Sequence, residues 1–176
     1  MGMCAMLYLL VVPCRHLARL RITMAKPAFP HMFPNDVPLF AAFVLTEEAD
    51  VYDRWEFDVK VGVPVDPGPA YDPQLRQMAI KISLLRIDAV GFRGVTPTIF
   101  EVKPDARLSA LGQVISYCYF YQKQYGIACR RGIITDSMTP QVAEVYAAYD
   151  IMIHLVRPAS TSEIDLARKK IFPTTS

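Results

Sequence analysis

The most regular alternation of apolar and polar positions begins at Arg54, where Trp55, Phe57, Val59 and Val61 are interleaved with Glu56, Asp58 and Lys60. A period of two predicts a half-buried strand, with the four apolar residues on one face and the three charges on a solvated face. Prolines and a glycine between Val63 and Pro73 predict a loop, and Leu75, Met78, Ala79 and Ile82 then recur at helical spacing in a short helix over 74–83. A second strand is predicted over 84–92, and a third, Ile99 to Lys103, is closed by Pro104. Between them, Gly91 to Gly94 with Val95-Thr96-Pro97 supplies turn chemistry, so an antiparallel hairpin with a loop of several residues is expected.

Beyond Pro104 the period changes. Leu108, Leu111, Ile115 and Cys118 recur at three and four, which predicts a helix over 108–125 with that face on the sheet and Gln113 and Tyr117 on an adjacent face. Arg130 to Asp136 reads as a buried strand, Thr139-Pro140 opens a helix to about Tyr149, and 151–156 is a last strand. Strand, helix, strand implies a parallel crossover. The pattern as a whole predicts an α/β domain with a mixed sheet flanked by helices over 54–157.

The flanks are less regular. An apolar run over 3–12 is too short to span a bilayer and has no basic residue before it, which argues against stable membrane insertion and a signal peptide. Residues 1–24 therefore form an extension of doubtful status: one reading starts translation at Met24, the other makes the run a membrane-associated amphipathic helix. Pro27, Pro30, Pro34 and Pro38 with Phe29 and Phe33 open the next segment, 25–53, and predict an extended arm over the surface. A short apolar stretch, 39–45, and a turn capped at Thr46-Glu47-Glu48 follow. Residues 158–176 read as a tail with a short helix near Arg168-Lys169-Lys170.

Length and composition narrow the class. One domain accommodates 176 residues with 52% apolar and 20% charged content. Nineteen Lys and Arg against 17 Asp and Glu leave only +2, so any polyanion contact must come from local clustering of basic groups. Arg93, Arg107, Arg130 and Arg131 are the candidates, with surface solubility as the plain alternative for each. Cys4, Cys14, Cys118 and Cys129 show neither C-x-x-C pairing nor histidines at zinc spacing; a buried-hydrophobe role for Cys118 and a reducing, cytoplasmic compartment are expected.

The chemistry concentrates at Glu101 and Lys103, which share one face of the third strand. A hairpin closes the 13 positions back to Asp88 to neighbouring-strand distance. Two carboxylates that close repel, and a cation between them relieves the repulsion. An oxygen shell of carboxylates, carbonyl and water suits Mg²⁺ or Mn²⁺, which acidifies a water and polarises a phosphoryl oxygen, while Lys103 orients the nucleophile or steadies the transition state. That is phosphodiester hydrolysis. The plain alternatives are a surface Glu101–Lys103 ion pair and an ordinary boundary glutamine at Gln113.

These residues resemble the PD-(D/E)xK nuclease superfamily, whose pattern is an acid on one strand and acid-x-Lys on the next. Asp88 and Glu101-Val102-Lys103 match it, although Ile87 stands where a proline often precedes the first acid. Gln113-Val114-Ile115-Ser116-Tyr117 has the Gln-x-x-x-Tyr spacing of the RecB-like branch. The resemblance implies a restriction-endonuclease-like three-layer core and a metal-dependent deoxyribonuclease, with Asp88 and Glu101 as ligands to Mg²⁺ or Mn²⁺, Lys103 as catalytic group, and Gln113 and Tyr117 in support. DNA is then the expected partner, a phage or mobile-element accessory nuclease the expected setting, and a homodimer remains open. It also implies an acid on an earlier helix, for which Glu47, Glu48 and Glu56 are the candidates. The alternative is an inactive domain of the same fold that binds nucleic acid or serves an assembly.

Overall fold

The computed structural model describes residues 29–30 and 32–173, so the 1–24 extension and Cys4, Cys14, His16 and His31 lie outside the described residues. Five strands form one mixed sheet in the order β1-β2-β3-β4-β5: β1 (Arg54–Val61), β2 (Leu85–Arg93), β3 (Thr96–Val102), β4 (Arg130–Thr135) and β5 (Ile151–Leu155). β1, β2 and β3 pair antiparallel, while β3, β4 and β5 pair parallel through the expected crossovers. The helices are α1 (Val37–Val44), α2 (Pro73–Ile82), α3 (Leu108–Tyr125), α4 (Pro140–Ala148) and α5 (Thr161–Ile171). Among the described residues no helix is long and apolar enough to cross a membrane.

Three layers follow from where the apolar groups go. On one face, Phe100, Val102 and Ile134 pack with Leu39, Phe40 and Phe43 of α1 and Ala167 of α5. On the other, Ile99 meets Tyr117, Cys118 and Tyr121 of α3, and Ile133 meets Val114 and Tyr146 of α3 and α4. Gly132 permits close packing at the strand next door, since a Cβ there would lie 2.6 Å from the Phe100 ring. The segment read as a surface arm contributes to this core: Phe29 is fully buried against Phe40, and Met32 lies in the same cluster. Proline spacing signalled an extended path but said nothing of the two aromatic and thioether side chains that anchor it.

Four local expectations change. The hairpin turn is only Gly94-Val95, because the ladder runs on through Phe92↔Pro97 and Arg93↔Thr96. Gly94 takes the left-handed backbone (φ 59) that a tight turn asks for, and Pro97 is tolerated because β4 begins pairing only at Thr98. On α3 the buried stripe is Ala110, Val114, Tyr117, Cys118 and Tyr121, while Leu108, the first residue of the helix, is exposed. On β1 the alternation breaks at Asp58. Trp55 and Phe57 pack in the α1 layer, but Val59 and Val61 pack in the α3 layer, since Asp58 adopts φ 54 and the strand turns over there. α2 buries no residue, and its predicted stripe of Leu75, Met78 and Ile82 is exposed.

Candidate active site

The β2–β3 register places Asp88 across from Glu101, one step beyond the Ala89↔Phe100 pair. Instead of a backbone bond, the Asp88 carboxylate accepts from the Val102 N–H at 2.9 Å. β3 ends there, and the Lys103 N–H continues the parallel ladder by donating to the Ile134 carbonyl at 3.0 Å. The strand end therefore fixes both residues of the Glu101–Lys103 pair through main-chain bonds.

A cavity of about 370 Å³ opens at this end, and Asp88, Glu101, Lys103, Gln113 and Tyr117 all line it. Glu101 is 1% exposed. Lys103 Nζ stands 3.1 Å from its Oε1 without hydrogen-bond alignment, and neither Glu101 oxygen has a hydrogen-bond partner among the described residues. Burial, then the charge of Asp88, pushes the Glu101 carboxyl up to about 8. Burial likewise raises Asp88, against the lowering effect of the Val102 N–H. Burial works against the Lys103 ammonium, but Glu101, Asp88 and Asp36 outweigh it and hold its pKa above the ordinary lysine value. Gln113 Nε2 donates to Tyr117 Oη at 3.3 Å, across one turn of α3, and burial together with the Glu101 charge raises the Tyr117 phenol.

Another buried acid near Lys103 was not among the candidates named from the sequence. Asp36, at the N-cap of α1, is 3% exposed, makes no capping bond to the helix, and leaves Oδ2 unpartnered. Its carboxyl is raised to about 6, first by burial, with Lys103 lowering and Asp88 raising it, so its charge belongs to the same cluster. None of Asp36, Glu47, Glu48 and Glu56 lines the cavity itself; Glu48 meets His154 at 2.6 Å and Glu56 pairs with Arg54, whereas Asp36 interacts with Lys103 and Asp88. The missed signal was Asp36-Val37-Pro38 ahead of an apolar run, an acid and a proline at a helix start, which the arm reading had absorbed.

The four arginines proposed for phosphate contact do not gather here. Arg93 pairs with Thr96 and Arg130 with Thr98, at the start of β3. At about 3.3 Å per residue that is roughly 10 to 17 Å along the sheet from Glu101. Arg131 adjoins Arg130 in a separate cleft. Arg107 is on the site's side of the sheet but exposed, and pairs with Asp105 at 2.6 Å.

The residues fit a hard divalent cation. Asp36, Asp88 and Glu101 set three carboxylates against the single Lys103 ammonium, with three buried carboxylate oxygens lacking hydrogen-bond partners among the described residues. Among the described residues no three His, Cys, Asp or Glu side chains form a metal cage by themselves. Two carboxylates, Asp88 and Glu101, line the cavity, and a hard divalent cation can be held by as few as one or two with water completing its shell.

Two solved structures are similar to this chain at low identity. A repair endonuclease from Pyrococcus abyssi is similar at 15% identity and a TM-score of 0.38, over 58% of this chain and 40% of its own. The EndoMS structure solved with dsDNA is similar at 14% identity and a TM-score of 0.44, over 77% of this chain and 50% of its own. The chain thus spans half or less of the length of these proteins. No family model matches, and no curated protein does.

Proposed function

We propose that the chain is a metal-dependent nuclease that hydrolyses phosphodiester bonds of DNA. The observation that carries this reading is the buried Glu101 carboxylate, without a hydrogen-bond partner among the described residues, beside Asp88 and Lys103 in one cavity with Gln113 and Tyr117. Asp88 and Glu101 would hold Mg²⁺ or Mn²⁺, with Asp36 adding charge; the bound ion lowers the pKa of a water and polarises the phosphoryl oxygen. Lys103, kept protonated by the carboxylates around it, steadies negative charge that grows on the phosphoryl oxygens as water attacks and the P–O bond breaks. Gln113 is held by Tyr117 in an orientation that offers its remaining amide groups to the attacking water or a phosphate oxygen.

The test is incubation of linear, circular and branched DNA with Mg²⁺ or Mn²⁺, comparing the parent with Glu101→Ala and Lys103→Ala. Cutting by the parent alone supports the reading. Failure of the parent to cut any of the three substrates, with DNA still bound, would move it to a non-catalytic binding role.

A further inference from the structure

A second basic group stands in the cavity and has no part in the hydrolysis outlined above. Arg86 lines the same cavity as Asp88, Glu101 and Lys103. Its Nε donates to Asp58 Oδ1 at 2.5 Å, the side chain is about half exposed, and its other N–H groups have no partner among the described residues. Asp58 is the residue at which β1 turns over. The ladder pairs Phe57 with Ala89 and Val59 with Ile87, so Asp58 occupies the level of Asp88 and Glu101 in the next two strands. Its φ of 54 is left-handed backbone, strained for most L residues and better tolerated by aspartate than by most. A strained acid in mid-strand that engages one edge of a guanidinium is a device for aiming the other edge.

The cavity's charge says what that edge would meet. A phosphodiester approaching Glu101 and Asp88 meets carboxylates, and the nearest ammonium, Lys103, is already engaged with Glu101 at 3.1 Å. A phosphate held beside the reacting one needs further donors, and a guanidinium that pairs its Nε with Asp58 still presents its two terminal nitrogens to phosphate oxygens. We propose that Arg86, aimed by Asp58, is the phosphate anchor of this cavity, gripping a nucleic-acid phosphodiester adjacent to the scissile one. The assignment rests on the nuclease reading; Arg86 touches the substrate backbone and Asp58 is a positioning residue.

The test measures binding of a labelled DNA duplex, with Ca²⁺ replacing Mg²⁺, over a series of salt concentrations, and separately measures Mn²⁺ affinity without DNA. Arg86→Gln should weaken duplex binding at least tenfold, the loss of a charged hydrogen bond. It should also lower the slope of log affinity against log salt by about one, leaving Mn²⁺ affinity within twofold. Arg86→Lys should keep the slope yet lose several-fold in affinity, since charge remains and the fork does not. Asp58→Asn should weaken binding with the salt slope intact. Unchanged duplex affinity and slope in Arg86→Gln, with a parent that binds both Mn²⁺ and duplex, overturns the anchor and leaves the nuclease reading standing. An equal loss of Mn²⁺ affinity also overturns it, by showing that Arg86 serves the carboxylates. A parent that binds neither removes the reading and the anchor together.

Discussion

The two ends of the central hairpin both carry charged residues and treat the charge in opposite ways. Where β2 passes into β3, Arg93, Thr96 and Arg130 surround an open cleft and their charges face water. Where β3 ends, Asp36 and Glu101 are almost wholly buried, Lys103 is half-buried, and three carboxylate oxygens lack hydrogen-bond partners among the described residues. Solvated charges of the first kind contribute little to stability and can be exchanged freely. Buried carboxylates of the second kind oppose folding unless a proton or a cation relieves them. A chain that keeps such an end has a use for the missing charge.

The strongest way to break the contrast is catalytic. Lys103→Ala and Glu101→Gln should each lower DNA cutting by about a thousandfold or more, as expected when charge stabilisation of a transition state is removed. Circular dichroism should show both variants folded. Cutting within tenfold of the parent would transfer the chemistry elsewhere.

Acidity sharpens the contrast next. Glu101 is raised from an ordinary 4.5 to about 8, so over that interval the folded chain keeps a proton that the unfolded chain has released. The metal-free protein should therefore lose stability as pH climbs from about 4.5 to 8, by a few kcal/mol in all, and gain it back as pH falls. Asp36, raised to about 6, adds in the same direction over the lower part of the window. Glu101→Gln should flatten the profile and melt higher than the parent at pH 8. A parent whose melting temperature rises steadily across this window would show that the cluster is relieved without a cation.

Asp36→Asn tests membership of the cluster. Because Asp36 makes no capping bond, α1 should be little affected, while affinity for Mn²⁺ should fall by about tenfold or more, the scale of a lost charged or outer-shell partner. At the other end, Arg93→Ala and Arg130→Ala should change stability by about 0.5 kcal/mol or less and leave Mn²⁺ affinity alone. Should either reduce the salt dependence of duplex binding, the nucleic acid must run the length of the sheet.

How much of this could be read from the sequence depends on whether a side chain's role is set locally. Strand and helix order, the hairpin and the parallel crossover were legible, because period-two and period-3.6 patterns belong to single elements. Asp88, Glu101, Lys103, Gln113 and Tyr117 could be nominated together because two adjacent strands and the following helix are consecutive in the chain. Asp36 could not, because its approach to Lys103 depends on how α1 docks across the sheet, and nearby prolines suggested an arm. Asp58 looked like one more solvated charge, since a left-handed residue inside an alternating strand leaves no mark on the pattern. The arginines were grouped by type, and only the register shows that Arg93, Arg130 and Arg131 belong to the far end.

The central claim is that the β3 terminus holds a divalent cation, and calorimetric titration of Mn²⁺ into the folded parent and into Glu101→Gln at pH 7.5 tests it most directly. The account predicts saturable binding of Mn²⁺ by the parent, with protons released as Glu101 ionises, and loss of that binding in Glu101→Gln. Equal binding by both proteins, or none by the parent, would contradict it.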